Sequence, residues 1–567
     1  MSEVPRPPGD LTGARWRTIR ALGGRCLSFL CGDLARSCVS IGVLAFLLPA
    51  LLSIAWGPPF PVVHDEFSYL LMSDTFAHGR VTNPSHPMWA HFESFHVLQT
   101  PTYASKYQPA QGLFLALGQL AAGFPIAGVW LSYGLAGAAV CWMLGGWLSP
   151  RWSLLGALLL VTRPSLVLSW GDSYWGGAVP LLGGALVLGA VPRLWRCTRM
   201  VDALALASGL VLLATSRPFE GLIAAVVPVA AVALRHACRP LDAPAVVLRK
   251  IVLPSSLVLA SGACAIGYYN ARVTGSPWRL PYVEYERQYS YVPVFGWQPI
   301  AEPRAYRHEV FARYYREWGE ATYLRTSVSP ARWRFKADLL RLSVYRAFLG
   351  PALLIPLIAS AFALSGTAVI GLAMATLVLA SNYASAWVLP HYFAPGAAGL
   401  YLLLTLGLRR LGALRVRNRR IGTAVVALVL AGVGLDLQAG WSWALTFAVP
   451  RSRAGLPAIR AGYESALARR KGKHLVIVRY QPNHNVHFEW VYNRADIDGA
   501  PVVWARELGE ADDRRLLEYF RDRSAWLLLA DEVPVKIVPL TSAPGQPAPD
   551  GRRDEGSLDR RSLQGQR

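Results

Sequence analysis

The chain has 567 residues, of which 53% are hydrophobic and only 16% charged, with a mean hydropathy of +0.30. A soluble globular chain carries about 25% charged residues, so this composition excludes an ordinary soluble fold. The net charge of +22 does not indicate nucleic acid, because the basic residues lie between apolar runs and not on one soluble face. They read as the positive loops of a membrane protein and would also suit an anionic lipid substrate. The 20 Trp and 23 Tyr fit aromatic belts at the two interfaces. The 7 Cys show no paired metal spacing, and no secretory signal is evident.

A membrane helix needs about 20 mostly apolar residues. Eleven runs qualify or come close: 38–56, 126–148, 153–169, 177–191, 201–215, 219–234, 250–268, 347–364, 367–388, 393–409 and 420–440. The run AQGLFLALGQLAAG at 110–123 is shorter and reads as tilted, re-entrant or an additional span. Basic residues cluster at 1–37, at 192–199, at 235–250 and at 409–420. With eleven crossings all four clusters share one side, which the positive-inside rule makes cytoplasmic. The other side receives the loops 57–109 and 269–346, the turn WGDSYWGG, and everything from 441. These segments contain no Cys, so no structural disulfide is expected there.

In the second loop, YRHEVFARYYREW (306–318) spaces its aromatics as an amphipathic helix, which predicts a helix lying on the bilayer. Residues 441–540 alternate strand and helix patterns: KHLVIVRY and PVVWAREL as strands, DDRRLLEYFRDR as a helix, SAWLLLADE as a strand. They predict a small α/β module. The tail, 541–567, is rich in Pro, Gly, Ser and charge and reads as disordered.

The spans are nearly free of charge; Asp172, Arg163, Arg217, Glu220 and Asp436 sit near span ends. A coupled transporter keeps ionisable groups near the midplane, whereas here polar chemistry collects at one face. It is densest in the loop 57–109, which opens HDEFSY and ends KYQPAQG. Asp65 and Glu66 supply a base or an acceptor-orienting carboxylate, and as neighbours they repel, which raises the pKa of one. Lys106, Arg217 and Arg287 are cations that could meet an anionic group at this face; Lys106 also reads as a snorkelling anchor and Arg217 as the end of a span. GDSYWGG offers Tyr174 and Trp175 for stacking, or as plain interface belts. Glu93 reads as a second acid. His86, His91, Glu93 and His96 have no helical ligand spacing and no completing motif, so no cofactor is assigned, and a divalent metal stays open. HNVHFEW (484–490) reads as module surface, or through His484, His487 and Glu489 as a metal or substrate contact. NARVTGSPWRLPYVEYERQY (270–289) reads as an interfacial loop or as a lid with aromatics toward the substrate.

The pattern D-E-x-x-x-Y, some forty residues, then K-Y-x-P-x-x-G resembles the GT-C superfamily of membrane glycosyltransferases. The similarity is to the bacterial aminoarabinose transferase and protein O-mannosyltransferase group. It covers the membrane region in layout and roughly 57–125 in motif. The resemblance implies an all-α polytopic membrane bundle of about 11 transmembrane helices, carrying here the small extracytoplasmic α/β C-terminal module. It implies transfer of a sugar from a polyprenyl-phosphate donor to a glycan, lipid or protein acceptor outside a cytoplasmic (inner) membrane. It places Asp65 at the family aspartate, with Glu66 beside it, and Lys106 and Tyr107 at the family lysine motif. His391 in HYFAPGAAGLYLLL takes the place of a family arginine. Gln108 stands where a second proline is usual and Ala110 where glycine is. Arg217, Glu220, Tyr174, Trp175 and Glu93 complete the expected substrate contacts. The competing readings are a transporter or flippase of lipid-linked sugars and a non-catalytic scaffold whose C-terminal module binds a partner. Capping of a helix N-terminus alone would also account for Asp65 and Glu66.

Overall fold

The computed structural model describes residues 30–540 except 328, 330, 331 and 365. Most of the basic N-terminal segment and the whole tail 541–567 lie outside the described residues. All eleven apolar runs fall on helices. Among the described residues seven helices are long and apolar enough to cross a membrane, or nine if each of two bent pairs is one span. Met200–Ala214 and Ala368–Ala384 are shorter apolar helices. The chain is a multi-pass membrane protein. The run at 110–123 forms Pro109–Ala122, whose 14 residues span about 21 Å at 1.5 Å each, too short to cross about 30 Å of hydrocarbon.

Lipid gives no hydrophobic reward for helix association, so small residues set the contacts. Helices Leu34–Trp56 and Ile126–Leu144 meet where a Cβ on Gly134 would sit 2.9 Å from the Gly42 carbonyl oxygen. Any larger residue there separates the two backbones. The bent pairs have local causes. Pro164 opens the second half of Pro150–Val161 plus Pro164–Gly171, bent by 60°. Gly350 at φ 78°, followed by Pro351, turns Trp333–Leu349 into Pro351–Ser360 by 98°. The second bend differs from the sequence expectation: residues 333–346 belong to this helix pair and not to the outer loop.

The two ends of the bundle differ in content. At one end His236 donates to the Leu194 carbonyl (3.1 Å), and Pro192 and Arg193 pack on Gly146, so the basic segments gather there. At the other end Ala110 N–H donates to Thr215 O (3.0 Å) and Phe60 N–H to Ser452 O (3.1 Å). The outer loops and the C-terminal module assemble on this second end. The six cysteines among the described residues are free.

The module carries four strands, β1 (Lys473–Arg479), β2 (Val502–Arg506), β3 (Arg523–Leu529) and β4 (Lys536–Pro539), in spatial order β2-β1-β3-β4. β1 runs parallel to β2 and β3, and β4 is antiparallel to β3. The continuous apolar run Leu475–Val478 is what a strand covered on both faces requires. The fourth strand is short and charged at its start, and its pattern gave no alternation to read. The module docks on the first loop: His91 donates to Arg506 O (2.8 Å), Arg506 Nε to Glu93 O (2.7 Å), and Ser94 to Val491 O.

Arg453 fixes the junction between bundle and module. Its Nη1 and Nη2 donate to the two oxygens of Asp172 (2.6 and 2.8 Å), and its Nε donates to Gly57 O (3.0 Å). Three chain segments meet on this one guanidinium, and the pair is buried. Breaking a buried pair from one side costs about 3–5 kcal/mol, whereas removing both charges costs less. Arg453→Met is therefore expected to lower the thermal unfolding midpoint markedly, and Asp172→Asn combined with Arg453→Met to recover part of the loss. Differential scanning fluorimetry of the purified variants checks this.

Candidate functional site

At this second end of the bundle lies a cavity of about 460 Å³, within the range usual for small-molecule sites. Its walls come from the first outer loop, the second outer loop, the start of two spans and the module. Among the sequence-predicted residues, Asp65, Lys106, Tyr107, Trp175 and Arg217 line it. Glu66, Glu93, Tyr174, Glu220 and His391 do not.

The adjacent acids divide by geometry. Both sit in the first turn of the helix His64–Ala77. The Glu66 carboxylate turns back and accepts N–H bonds from Val62 (2.7 Å), Val63 (3.2 Å) and Tyr174 (2.9 Å). It caps the helix and ties it to the turn 171–177. Burial pushes the Glu66 carboxyl above its usual range, against the pull of these amides. Asp65 points into the cavity, where its Oδ1 accepts from the Tyr107 hydroxyl. Tyr107 oxygen in turn lies 2.9 Å from His96 Nδ1. Because the tyrosine proton goes to Asp65, His96 Nδ1–H is the donor, and Nε2 is left to accept from Tyr314 (3.4 Å). Burial first, then the Lys106 charge, holds the His96 imidazole well below its ordinary value and therefore neutral.

His96 is also held in the left-handed region at φ 62°, a rare conformation for a non-glycine residue. Its main chain is fixed on both sides: its N–H donates to the Tyr285 hydroxyl (2.9 Å), and its carbonyl accepts from Ser68 (2.6 Å) and Lys106 N–H (3.2 Å). Such strain clusters at functional sites.

The cations differ in availability. Lys106 Nζ donates to Glu286 (3.1 Å) and lies over the rings of Tyr282 and Tyr285. Arg217, which precedes the span Pro218–Cys238, stacks over Tyr392 at 4.6 Å, and among the described residues no carboxylate lies within ion-pair distance of it. It is the cation open to an incoming anion. Glu220 is buried in the first turn of the same helix. His391 packs on Trp175 at 4.7 Å and supports it from behind. Tyr174 presents its main-chain N–H to Glu66 and its carbonyl to Gln111 Nε2 (3.2 Å). Glu93 takes Arg307 (2.9 Å), His308 (3.1 Å) and the Tyr289 hydroxyl (3.1 Å), a link between the two outer loops. Burial alone would raise its carboxyl, but His308 and Arg307 outweigh burial and hold it below the usual range.

The helical stripe of 306–318 is buried, contrary to the sequence expectation of a helix on the bilayer. Phe311 stacks on Phe95 (4.3 Å), and Tyr314, Tyr315 and Trp318 line the cavity. Sequence reading missed His64, Glu286, Trp387 and Tyr392 as cavity residues and weighed His96 only for a metal set, whereas Tyr282 lies in the stretch 270–289 that it offered as a lid. HNVHFEW is not plain module surface: His487 and Phe488 reach the cavity, and Glu489 is buried against Arg506. Among the described residues no cluster of three or more His, Cys, Asp or Glu is arranged to hold a metal.

No protein-family model and no curated protein matches the chain. Among solved structures the chain is similar to ArnT from Cupriavidus metallidurans bound to undecaprenyl phosphate. The identity is 12% and the TM-score 0.47, over 86% of this chain and 93% of that one. It is also similar to the oligosaccharyltransferase of Archaeoglobus fulgidus in the apo form, at 11% identity and a TM-score of 0.43, over 87% of this chain and 69% of that one.

His64 gives the site a pH signature. Its Nε2–H donates to Val486 O (3.0 Å), and Nδ1 accepts from Tyr492 (2.8 Å). Burial pushes the imidazole from 6.5 down to about 4. The unfolded chain takes up this proton near 6.5 and the folded chain does not. Stability is thus complete above 6.5 and falls by roughly 3 kcal/mol as the pH drops to about 4. The thermal midpoint in detergent is expected to fall between pH 7 and pH 4.5, and more shallowly in His64→Gln.

Proposed function

We propose that the protein is an integral membrane glycosyltransferase that transfers a sugar from a polyprenyl-phosphate donor to an acceptor hydroxyl on the extracytoplasmic side. The observation that carries this reading is the pairing, in one cavity at the end of the bundle, of a carboxylate with one open oxygen and a cation, Arg217, that no carboxylate reaches within ion-pair distance among the described residues. Asp65 Oδ1 is occupied by Tyr107, and Oδ2 is left for a hydroxyl. Arg217 is left for a phosphate. Such a pair is what displacement at a sugar–phosphate bond requires.

In this reaction the acceptor oxygen attacks the anomeric carbon. The bond from that carbon to the phosphate oxygen breaks, and its electron pair leaves on the phosphate. Asp65 takes the hydroxyl proton. Arg217 neutralises the departing phosphate, and Lys106 joins it by exchanging Glu286 for the leaving group. Glu66 is assigned as a positioning residue, because its oxygens are spent on main-chain amides.

A lipid tail has a place beside the cavity. An open groove of about 1000 Å³ is lined by Leu340, Tyr345, Leu349, Leu379 and Tyr383. The helix Trp333–Val344 borders both spaces, since its Leu339 lines the cavity. This supports a donor whose chain stays in the bilayer while its phosphate reaches Arg217. Under this reading the basic end of the bundle is cytoplasmic, the membrane is a bacterial inner membrane, and the module lies outside. The gathering of ionisable groups at one end, and not at the midplane, favours the enzyme over a flippase.

Removing a general base lowers rates by about 10²–10⁴-fold. Asp65→Asn is expected to lose transfer by that factor while keeping the wild-type thermal midpoint. Arg217→Gln is expected to raise the donor KM and lower kcat together. Full activity of Asp65→Asn in membranes supplied with radiolabelled polyprenyl-phosphate sugars would overturn the assignment.

A further inference from the structure

The loop 484–490 is fixed tightly for a loop that presents two unused rings. His484 Nδ1 pairs with Asp531 (2.6 Å), and its Nε2 donates to Phe488 O (2.7 Å). Arg313 Nη1 donates to Pro482 O (2.6 Å) and His484 O (2.8 Å). Glu489 is locked by Arg506, the Tyr480 hydroxyl and the Val491 N–H. Between these anchors the His487 and Phe488 side chains make no hydrogen bond among the described residues, and both line the cavity. Phe488 is 42% exposed. A rigid support under uncommitted side chains is the arrangement a binding site needs.

These rings form a wall with the second outer loop and the segment after Ala368–Ala384. His487 meets Trp318 edge-to-face at 5.1 Å, and Trp318 stacks on Trp387 at 5.0 Å and 19°. His487 also lies 6.3 Å from the ring of His64, the residue before Asp65. The cavity thus has two walls that share Asp65. Arg217 and Tyr392 belong to the starts of spans, whereas His487 and Phe488 come from the module.

We propose that the module wall, His487 and Phe488 with Trp318 and Trp387, is the acceptor subsite, and that it takes a neutral sugar ring of an extracytoplasmic glycan. The inference rests on the glycosyltransferase reading and names its acceptor class. Pyranose rings offer C–H faces to aromatic rings and hydroxyls to polar atoms, and this wall supplies aromatic faces, one imidazole and the Asp65 carboxylate. The wall itself contributes no cation for an anionic headgroup; Arg217 and Lys106 stand elsewhere in the cavity. A peptide recognised by strand addition would use an unpaired strand edge of the module's sheet. The sheet edges are β2 and β4, and neither lines the cavity.

The test is binding without turnover, on the full chain in nanodiscs. Saturation-transfer NMR is recorded with neutral trisaccharides of glucose, galactose and mannose, and with an unstructured Ser/Thr-containing hexapeptide. Tryptophan quenching by undecaprenyl phosphate is recorded on the same samples. At least one trisaccharide is expected to bind wild type, with about tenfold weaker binding in Phe488→Ala and in His487→Ala. Val533→Ala, on a fully exposed residue of the module, is the control and is expected to bind as wild type does. The inference is overturned if no trisaccharide binds, if the variants bind as tightly as wild type, or if only the peptide binds in a Phe488-dependent way. Undecaprenyl phosphate quenching that is lost in Arg217→Gln keeps the enzyme reading standing even then. Absence of lipid-phosphate binding to wild type would instead count against that reading.

Discussion

The carboxylate of Glu66 decides how the cavity end of the molecule is organised. It satisfies the exposed N–H groups where the chain re-enters a helix after the first span, and it reaches across to the Tyr174 N–H. That single group orients the helix so that Asp65, one residue earlier, faces the cavity. Two neighbouring acids on a helix point about 100° apart, so spending one on the cap directs the other. The pair is one device with two parts, a structural anchor and an open carboxylate.

The rest of the site is built outward from that anchor. Tyr107 holds Asp65, His96 holds Tyr107, and the strained backbone of His96 is held by Ser68, Lys106 and Tyr285. Each hydrogen is committed in one direction along the chain of donors, which fixes the tautomer of His96. The module closes the arrangement from above, with His64 bonded to Tyr492 and Val486 of the module. A domain that looks like an appendage in the order of the chain is thus a wall of the cavity. Arg453 on Asp172 holds the base of that wall to the bundle.

Much of this architecture is legible in the sequence because the bilayer enforces it. Long apolar runs and a strand–helix alternation follow from simple patterns, and they map onto helices in the bundle and onto strands and a helix in the module. Asp65, Lys106, Tyr107, Trp175 and Arg217 were readable as rare polar groups at span ends or in a motif. What stayed hidden depends on tertiary contact. Nothing in HDEF says which acid caps and which faces the cavity, since both sit in the first turn. His96 carries no mark of its positive φ. The aromatic stripe at 306–318 has the periodicity of an interfacial helix and is instead covered by Phe95 and the module. His487 and Phe488 are 422 residues or more from Asp65 in sequence, and only the docking of the module brings them near.

The most direct measurement follows the sugar of a radiolabelled polyprenyl phosphate in proteoliposomes of the purified chain, with wild type beside Asp65→Asn and Glu66→Gln. Label is expected to leave the lipid in wild type, to stay on it in Asp65→Asn, and to leave more slowly in Glu66→Gln, whose thermal midpoint also falls. Label that changes leaflet without leaving its lipid, or that leaves it equally in Asp65→Asn, would rule out Asp65 as the base of a sugar transfer.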